Sequence, residues 1–199
     1  RFTFSLQRLR VPYEIRGVFV RAAVAGVCAF AVSGVFSAVA PEFLSAQLHV
    51  HSPAVSGVLV FLLMGSSAFG QTLVDRLGKD RAFFTGCAIM LVGLALLAAC
   101  ILAHSLTAIF LSAAAAGVGQ GIVMGFGLAN INERITERRG EVTSAYFVLI
   151  YAGLALPVVA VGFAAVPLGL PVAGLLFCGV VGLTVASVMT ADFRGARAQ

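Results

Sequence analysis

The sequence predicts an all-α integral membrane protein with six transmembrane helices, and three observations carry that prediction. Hydrophobic residues make up 60% of the 199 positions and charged residues 11%, against about 25% charged in a soluble domain. Mean hydropathy is +1.05, more apolar surface than a soluble core of this size can hide. Six apolar stretches are long enough to cross a hydrocarbon layer of roughly 30 Å as helices. Every lysine and arginine lies outside those stretches, on one side of them. A closed barrel, the other spanning structure, needs alternating polar and apolar residues, and runs such as AIMLVGLALLAACIL do not alternate.

In chain order, residues 1–21 form a basic segment without a long apolar run, read as a cytoplasmic linker. It lacks the apolar block and small-residue cleavage site of a signal peptide. Starting at Arg1 rather than a methionine, it reads as a loop entered midway, so the chain is expected to be part of a longer protein. The membrane domain, 22–191, holds spans at 22–41, 53–74, 82–103, 106–129, 142–162 and 171–191, and 192–199 is a tail. All thirteen basic residues lie in the linker, the second-to-third loop, the fourth-to-fifth loop and the tail. Positive-inside bias puts those segments and both ends in the cytoplasm, in a cell membrane of bacterial inner-membrane type. The net charge of +5 is thus a topology signal, and no basic face remains for nucleic acid. Only Glu42 among the acids falls on the outer side, and no charge sits in mid-membrane, where one costs about 2.5–3.5 kcal/mol on insertion scales.

Cys28, Cys87, Cys100 and Cys178 each sit inside an apolar run. Their spacing matches no metal or redox pattern, so they are expected to pack as small hydrophobes. His49 and His51 form a His-x-His pair in an outer loop, but a metal needs further ligands; neither metal nor cofactor is expected. An intramembrane serine protease would need Gly-x-Ser-Gly and a membrane histidine. Ser33 sits in AVSG and all three histidines map to the outer side, so an enzyme is not expected.

The stretch LVDRLGKDR, residues 73–81, concentrates mixed charge between two uncharged spans. Asp75 ends the second span, Gly78 permits a tight reversal, and Arg76, Lys79 and Arg81 hold the turn at the inner surface. It resembles the Gly-x-Leu-Ala-Asp-Arg-x-Gly-Arg/Lys-Arg/Lys pattern of the same turn in major facilitator superfamily transporters. Leu73, Val74, Asp75, Arg76, Gly78 and Lys79 follow that pattern in order. Gln71 stands where the first glycine belongs, with Gly70 one place early, and Asp80 stands where a base is common. In the family the motif is strong in the N-terminal six-helix half and degraded in the C-terminal one, so these departures imply the C-terminal half. Two further resemblances agree: SAAAAGVGQGIVMGFG lacks the arginine common in the fourth helix of an N-terminal half, and RFTFSLQRLRVPYEIRG is similar to the linker between halves. SAYFVLIYAGLALPVVAVGF also resembles the penultimate helix of many such carriers. The implied fold is one half of the transporter, built from two inverted three-helix repeats.

The resemblance further implies that Asp75 latches one alternating-access state by facing a basic side chain and the positive end of a neighbouring helix. Arg134, Arg138 and the start of the fifth span lie on the same side, and with Arg76, Gly78 and Lys79 they complete the candidate gate. A carboxylate near a helix N-terminus gains roughly 0.3–1 kcal/mol; the alternative is a set of solvated loop charges with little energetic weight.

In the superfamily the first and fourth helices of each half line the path, the second and fifth flank it, and the third and sixth face lipid. Polar and aromatic residues here gather on the first, fourth and fifth spans. Ser33 and Ser37 share one face of the first, near Phe30 and Phe36. Gln120 is the lone amide in the core of the membrane, beside a stripe of Gly117, Gly121 and Gly125 that suits close helix packing. That amide is expensive unless bonded, so it is either a cargo contact or an interhelical bond. Tyr146 and Tyr151 offer hydroxyls and flat faces, Met124 is a contact or filler, and Pro157 is expected to bend the fifth span. The candidate cargo set is Ser33, Ser37, Phe36, Gln120, Met124, Tyr146 and Tyr151.

Taken with the resemblance, these residues imply secondary active transport of a small, neutral or fairly apolar organic molecule by alternating access, with efflux favoured. A proton-coupling acid would lie in the other half. The competing expectation is a freestanding six-helix protein, acting as a homodimeric carrier or as a non-transporting receptor or scaffold. The expected partners are therefore a small molecule, the bilayer, and an N-terminal half or a second copy.

Overall fold

The computed structural model describes residues 16–134 and 139–196. Within them the chain is wholly helical: α1 (Arg16–Ala38), α2 (Ala40–Leu48), α3 (Pro53–Thr72), α4 (Val74–Leu77), α5 (Lys79–Ala103), α6 (Leu106–Arg134), α7 (Arg139–Leu168) and α8 (Leu170–Ala196). Six of these, α1, α3, α5, α6, α7 and α8, are long and apolar enough to cross a membrane. Arg16, where α1 begins, lies inside the segment read from sequence as linker. Arg21 on that helix turns its Nε back to the Gly17 carbonyl at 3.3 Å, which carries the charged head toward the helix start and away from the apolar core.

Two short helices were not anticipated. After a break at Val39, α2 starts with Pro41 in its first turn and buries Phe43 and Leu44 against the bundle. It ends on His49 in the left-handed region at φ 53°, with the Val50 amide donating to the Leu44 carbonyl at 2.9 Å, a Schellman-type closure. At the charged turn between the second and third spans, α3 is followed by the single turn of α4, and the reversal falls on Gly78 at φ 71°. There the lack of a Cβ is a requirement, because a side chain is strained at that φ. The Gly78 carbonyl then accepts from the Ala82 amide at 3.0 Å to start α5. Helix α6 is capped by Ser105, whose Oγ accepts from the Ala108 amide at 3.3 Å. Helix α7 runs unbroken through Pro157 and Pro167 for 30 residues, about 45 Å at 1.5 Å per residue; prolines are tolerated in spanning helices because neighbours re-satisfy the freed groups.

The helices pair across the two halves of the sequence. Helix α6 lies between α3 and α5, α1 packs on α7, and α8 touches α5, α7 and α1. The first helix of the first triplet thus pairs with the second helix of the second triplet, and conversely α6 pairs with α3. That exchange is what two inverted three-helix repeats about a pseudo-two-fold axis produce, and it makes the fold consistent with half of a carrier.

Close approach depends on glycines. A methyl at Gly117 would collide with the Leu63 carbonyl, one at Gly121 with the Ser67 carbonyl, and one at Gly125 would lie 2.9 Å from Val74 Cγ2. The stripe therefore faces α3. On the other pair, a Cβ at Gly34 would strike the Leu154 carbonyl and one at Gly153 would lie 2.8 Å from Val27 Cα. Overpacking such contacts costs about 1–3 kcal/mol. Gly121→Val is expected to lower the thermal unfolding midpoint of the detergent-solubilised protein by several degrees or remove the folded fraction. Gly179→Ala, where nothing lies within 4 Å, is the control; matching midpoints for the two would contradict the α3–α6 contact.

Candidate functional site at the seam of α1, α6 and α7

The polar and aromatic residues of the membrane interior converge where α1 meets α6 and α7. Midway along that seam, the Ser33 hydroxyl donates to the Gln120 Oε1 at 2.5 Å, between two buried side chains. Gly121, the next residue, faces α3, while Gln120 points about 100° round the helix toward α1. In this arrangement the amide oxygen is engaged across the helix pair. A second buried hydroxyl, Ser112, donates to the Gly93 carbonyl of α5 at 2.8 Å. It fastens α6 on its other side and had no role in the sequence reading.

Two turns from Ser33 and Gln120, toward the basic end, lies an aromatic and aliphatic cluster. Tyr146 of α7 is fully buried with Phe19, Ala22, Ala23, Val142 and Ile150, and Phe30, Met124, Leu128 and Phe147 pack against them half-buried. Tyr151 is 59% exposed; its ring lies 6.2 Å from Phe147 at 28° and 6.2 Å from Phe30 at 76°. The result is an aromatic surface, Phe30, Phe147 and Tyr151, open on one side, with Met124 beside it. Of the candidate cargo residues, Met124, Tyr146 and Tyr151 are thus brought into one neighbourhood and Ser33 and Gln120 into another. Ser37 is exposed one turn further along. Phe36 is buried at the end opposite the basic loops, where it lines a small apolar cavity of about 30 Å³ with Phe43, Ile101, Ile109 and Phe177. Phe147 was missed, although its four-residue spacing from Tyr151 puts both on one helix face.

Electrostatically the seam is neutral. No acid, base or histidine occurs at 22–48 other than Glu42, at 106–130, or at 142–168. Among the described residues no group of three or more His, Cys, Asp and Glu could hold a metal ion, and all four cysteines are buried and unpaired to one another. At the charged turn between α3 and α5, Asp75 and Arg76 are exposed. The side chains of Lys79 and Arg134, and Arg138 entirely, lie outside the described residues, so the partner of Asp75 is not set by the geometry.

If the Ser33–Gln120 bond holds the seam, a double-mutant cycle of Ser33→Ala and Gln120→Leu on unfolding should return a coupling of about 0.6–1.7 kcal/mol, the range for interhelical bonds in membranes. Additive losses would mean that the two side chains act independently.

An apolar bundle of six spanning helices, exchanged pairing between two triplets, and a neutral seam on the first, fourth and fifth spans are features of a membrane carrier. The comparison with curated proteins returned no match. The family model of the Major Facilitator Superfamily, however, matches residues 22–195, which takes in all six spans and both triplets. The chain belongs to the major facilitator superfamily, a family of secondary transporters rather than enzymes.

Proposed function

We propose that this chain is the C-terminal six-helix half of an alternating-access carrier that exports a small, neutral or fairly apolar organic solute. Family membership supplies secondary transport and a small-molecule cargo in a lipid bilayer; the finer reading rests mainly on the neutral seam. A site without fixed charge cannot neutralise a charged cargo in a low-dielectric medium, and the open aromatic surface of Phe30, Phe147 and Tyr151 favours flat, apolar solutes. Met124, Ser37, Phe36 and the Ser33–Gln120 pair complete the cargo path as the helices move. The degraded inner-turn motif and the arginine-free α6 support the C-terminal assignment. The apolar faces of α3 and α7, whose stretches are 22% and 17% buried against 28% for α8 and 72% for α1, leave room for a partner half beside lipid. A second copy of this chain is the competing occupant of those faces. Purification of the native assembly decides between them by whether one or two kinds of six-helix unit are present.

Transport by the full carrier in proteoliposomes under an imposed proton gradient tests the function. Net flux of a neutral aromatic solute is expected; equal flux of strongly charged analogues, or no gradient-driven flux of any solute, would count against it. In the same assay Asp75→Ala and Arg76→Ala should change the rate by about 2- to 5-fold, the range that an exposed charge at a helix terminus contributes to a two-state balance. Wild-type rates in both would remove the latch, in which Asp75 pairs with Arg134 or Arg138 or faces the start of the fifth span, with Arg76, Gly78 and Lys79 completing the gate.

The one-sided basic loops support cytoplasmic ends in a cell membrane of bacterial inner-membrane type. A single cysteine at His51→Cys should react with an impermeant maleimide added to intact cells. Labelling only after the membrane is breached would reverse the orientation.

A further inference from the structure

Tyr146 departs from the rule that buried polar groups are paired. Its side chain is completely buried, and among the described residues its hydroxyl is the buried side-chain polar atom without a hydrogen-bond partner. The surroundings explain why nothing reaches it. A methyl on Gly26 of α1 would lie 2.7 Å from the oxygen, and one on Gly127 of α6 would lie 2.6 Å from it. The α7 ring is wedged into a notch that exists because both facing helices lack a side chain there. The buried hydrophobic residues clustered with it, Phe19, Ala22, Ala23, Val142, Ala145 and Ile150, offer no side-chain acceptor. With α1 and α6 together, as here, the hydroxyl has no hydrogen-bond partner among the described residues.

We propose that Tyr146 is a positioning residue of the transport cycle: its hydroxyl gains a partner when α1 and α6 part at the Gly26–Gly127 level, so the tyrosine disfavours the closed seam. The proposal rests on the chain being a carrier and not on the identity of its cargo. Leaving a buried hydroxyl unpaired weakens the packing that buries it by about 5- to 150-fold. Seven residues along each helix, the Ser33–Gln120 bond closes the same seam. One helix pair thus carries a closing contact and an opening bias of similar size, which makes a two-state element easily tipped by a ligand.

The test uses the full carrier in liposomes, with Cys28, Cys87, Cys100 and Cys178 replaced by alanine and spin labels at Val20→Cys on α1 and Ala129→Cys on α6. Tyr146→Phe keeps the ring and removes only the oxygen. It is expected to shift the ratio of the short to the long label distance about 5- to 150-fold toward the short one, and to slow turnover. If only one distance is populated, the thermal unfolding midpoint is the readout, and it should rise in Tyr146→Phe. An unchanged ratio and midpoint, or a shift toward the long distance, would overturn the proposal, since the hydroxyl would then have a partner such as a bound water in the closed state. Gly127→Ala, which brings a methyl against the oxygen, should favour the long distance more in the tyrosine background than in Tyr146→Phe. An equal shift in both would also overturn it.

Discussion

Everything in this bundle depends on how closely two helix backbones can approach in a solvent that contains no water. Between spans in lipid the hydrophobic effect gives little, because the acyl chains are as apolar as the side chains they would replace. Association has to come from dense packing and a few hydrogen bonds. Helix α6 meets that requirement through the face of Gly117, Gly121 and Gly125 laid on the α3 backbone, and α1 meets it through Gly34 on Leu154 and Val27 on Gly153 of α7. These contacts fix which helices are neighbours. The exchanged arrangement of the two triplets follows from them.

The same economy governs polar groups. A hydroxyl or amide in the membrane interior must find a partner inside the protein, and Ser33, Gln120 and Ser112 do so across helix contacts rather than toward an open space. Each bond therefore has two consequences: it holds a pair of helices together, and it makes their separation depend on something else taking over the bond. Tyr146 is the counterpart, a hydroxyl that the closed packing leaves unserved. A carrier has to visit more than one arrangement with comparable free energy, and a seam built from weakly opposed contacts provides that better than a uniformly apolar one.

How far the site was legible in the sequence can be judged residue by residue. The spans were readable because lipid imposes a length and a composition on any helix that crosses it, and the charged turn was readable because a reversal with φ 71° at Gly78 favours a glycine, here set among charged residues. Helix α2 was hidden because nine residues of mixed polarity between two spans look like a loop; burial of Phe43 and Leu44 under the bundle gives it its reason to fold. Periodicity placed Gln120 beside the glycine stripe and off its line, but a period says only that a side chain points elsewhere, not what it meets. Phe147 and Tyr151 share a face at a spacing any helix shows, and only the approach of Phe30 from α1 makes that face an aromatic surface.

By itself the sequence determined that the chain is helical, crosses the membrane six times, carries its basic residues on one side and resembles a carrier family, because each of these follows from local composition in a medium that tolerates few alternatives. Tertiary structure alone decided that Ser33 binds Gln120, that Gly121 meets Ser67 while its neighbour faces α1, and that the Tyr146 hydroxyl lies in a notch of two glycines with no partner. Those outcomes depend on residues more than fifty positions apart, for the first two pairs, meeting in close contact. Pairings of that range are set by the packing of whole helices, which no local pattern records.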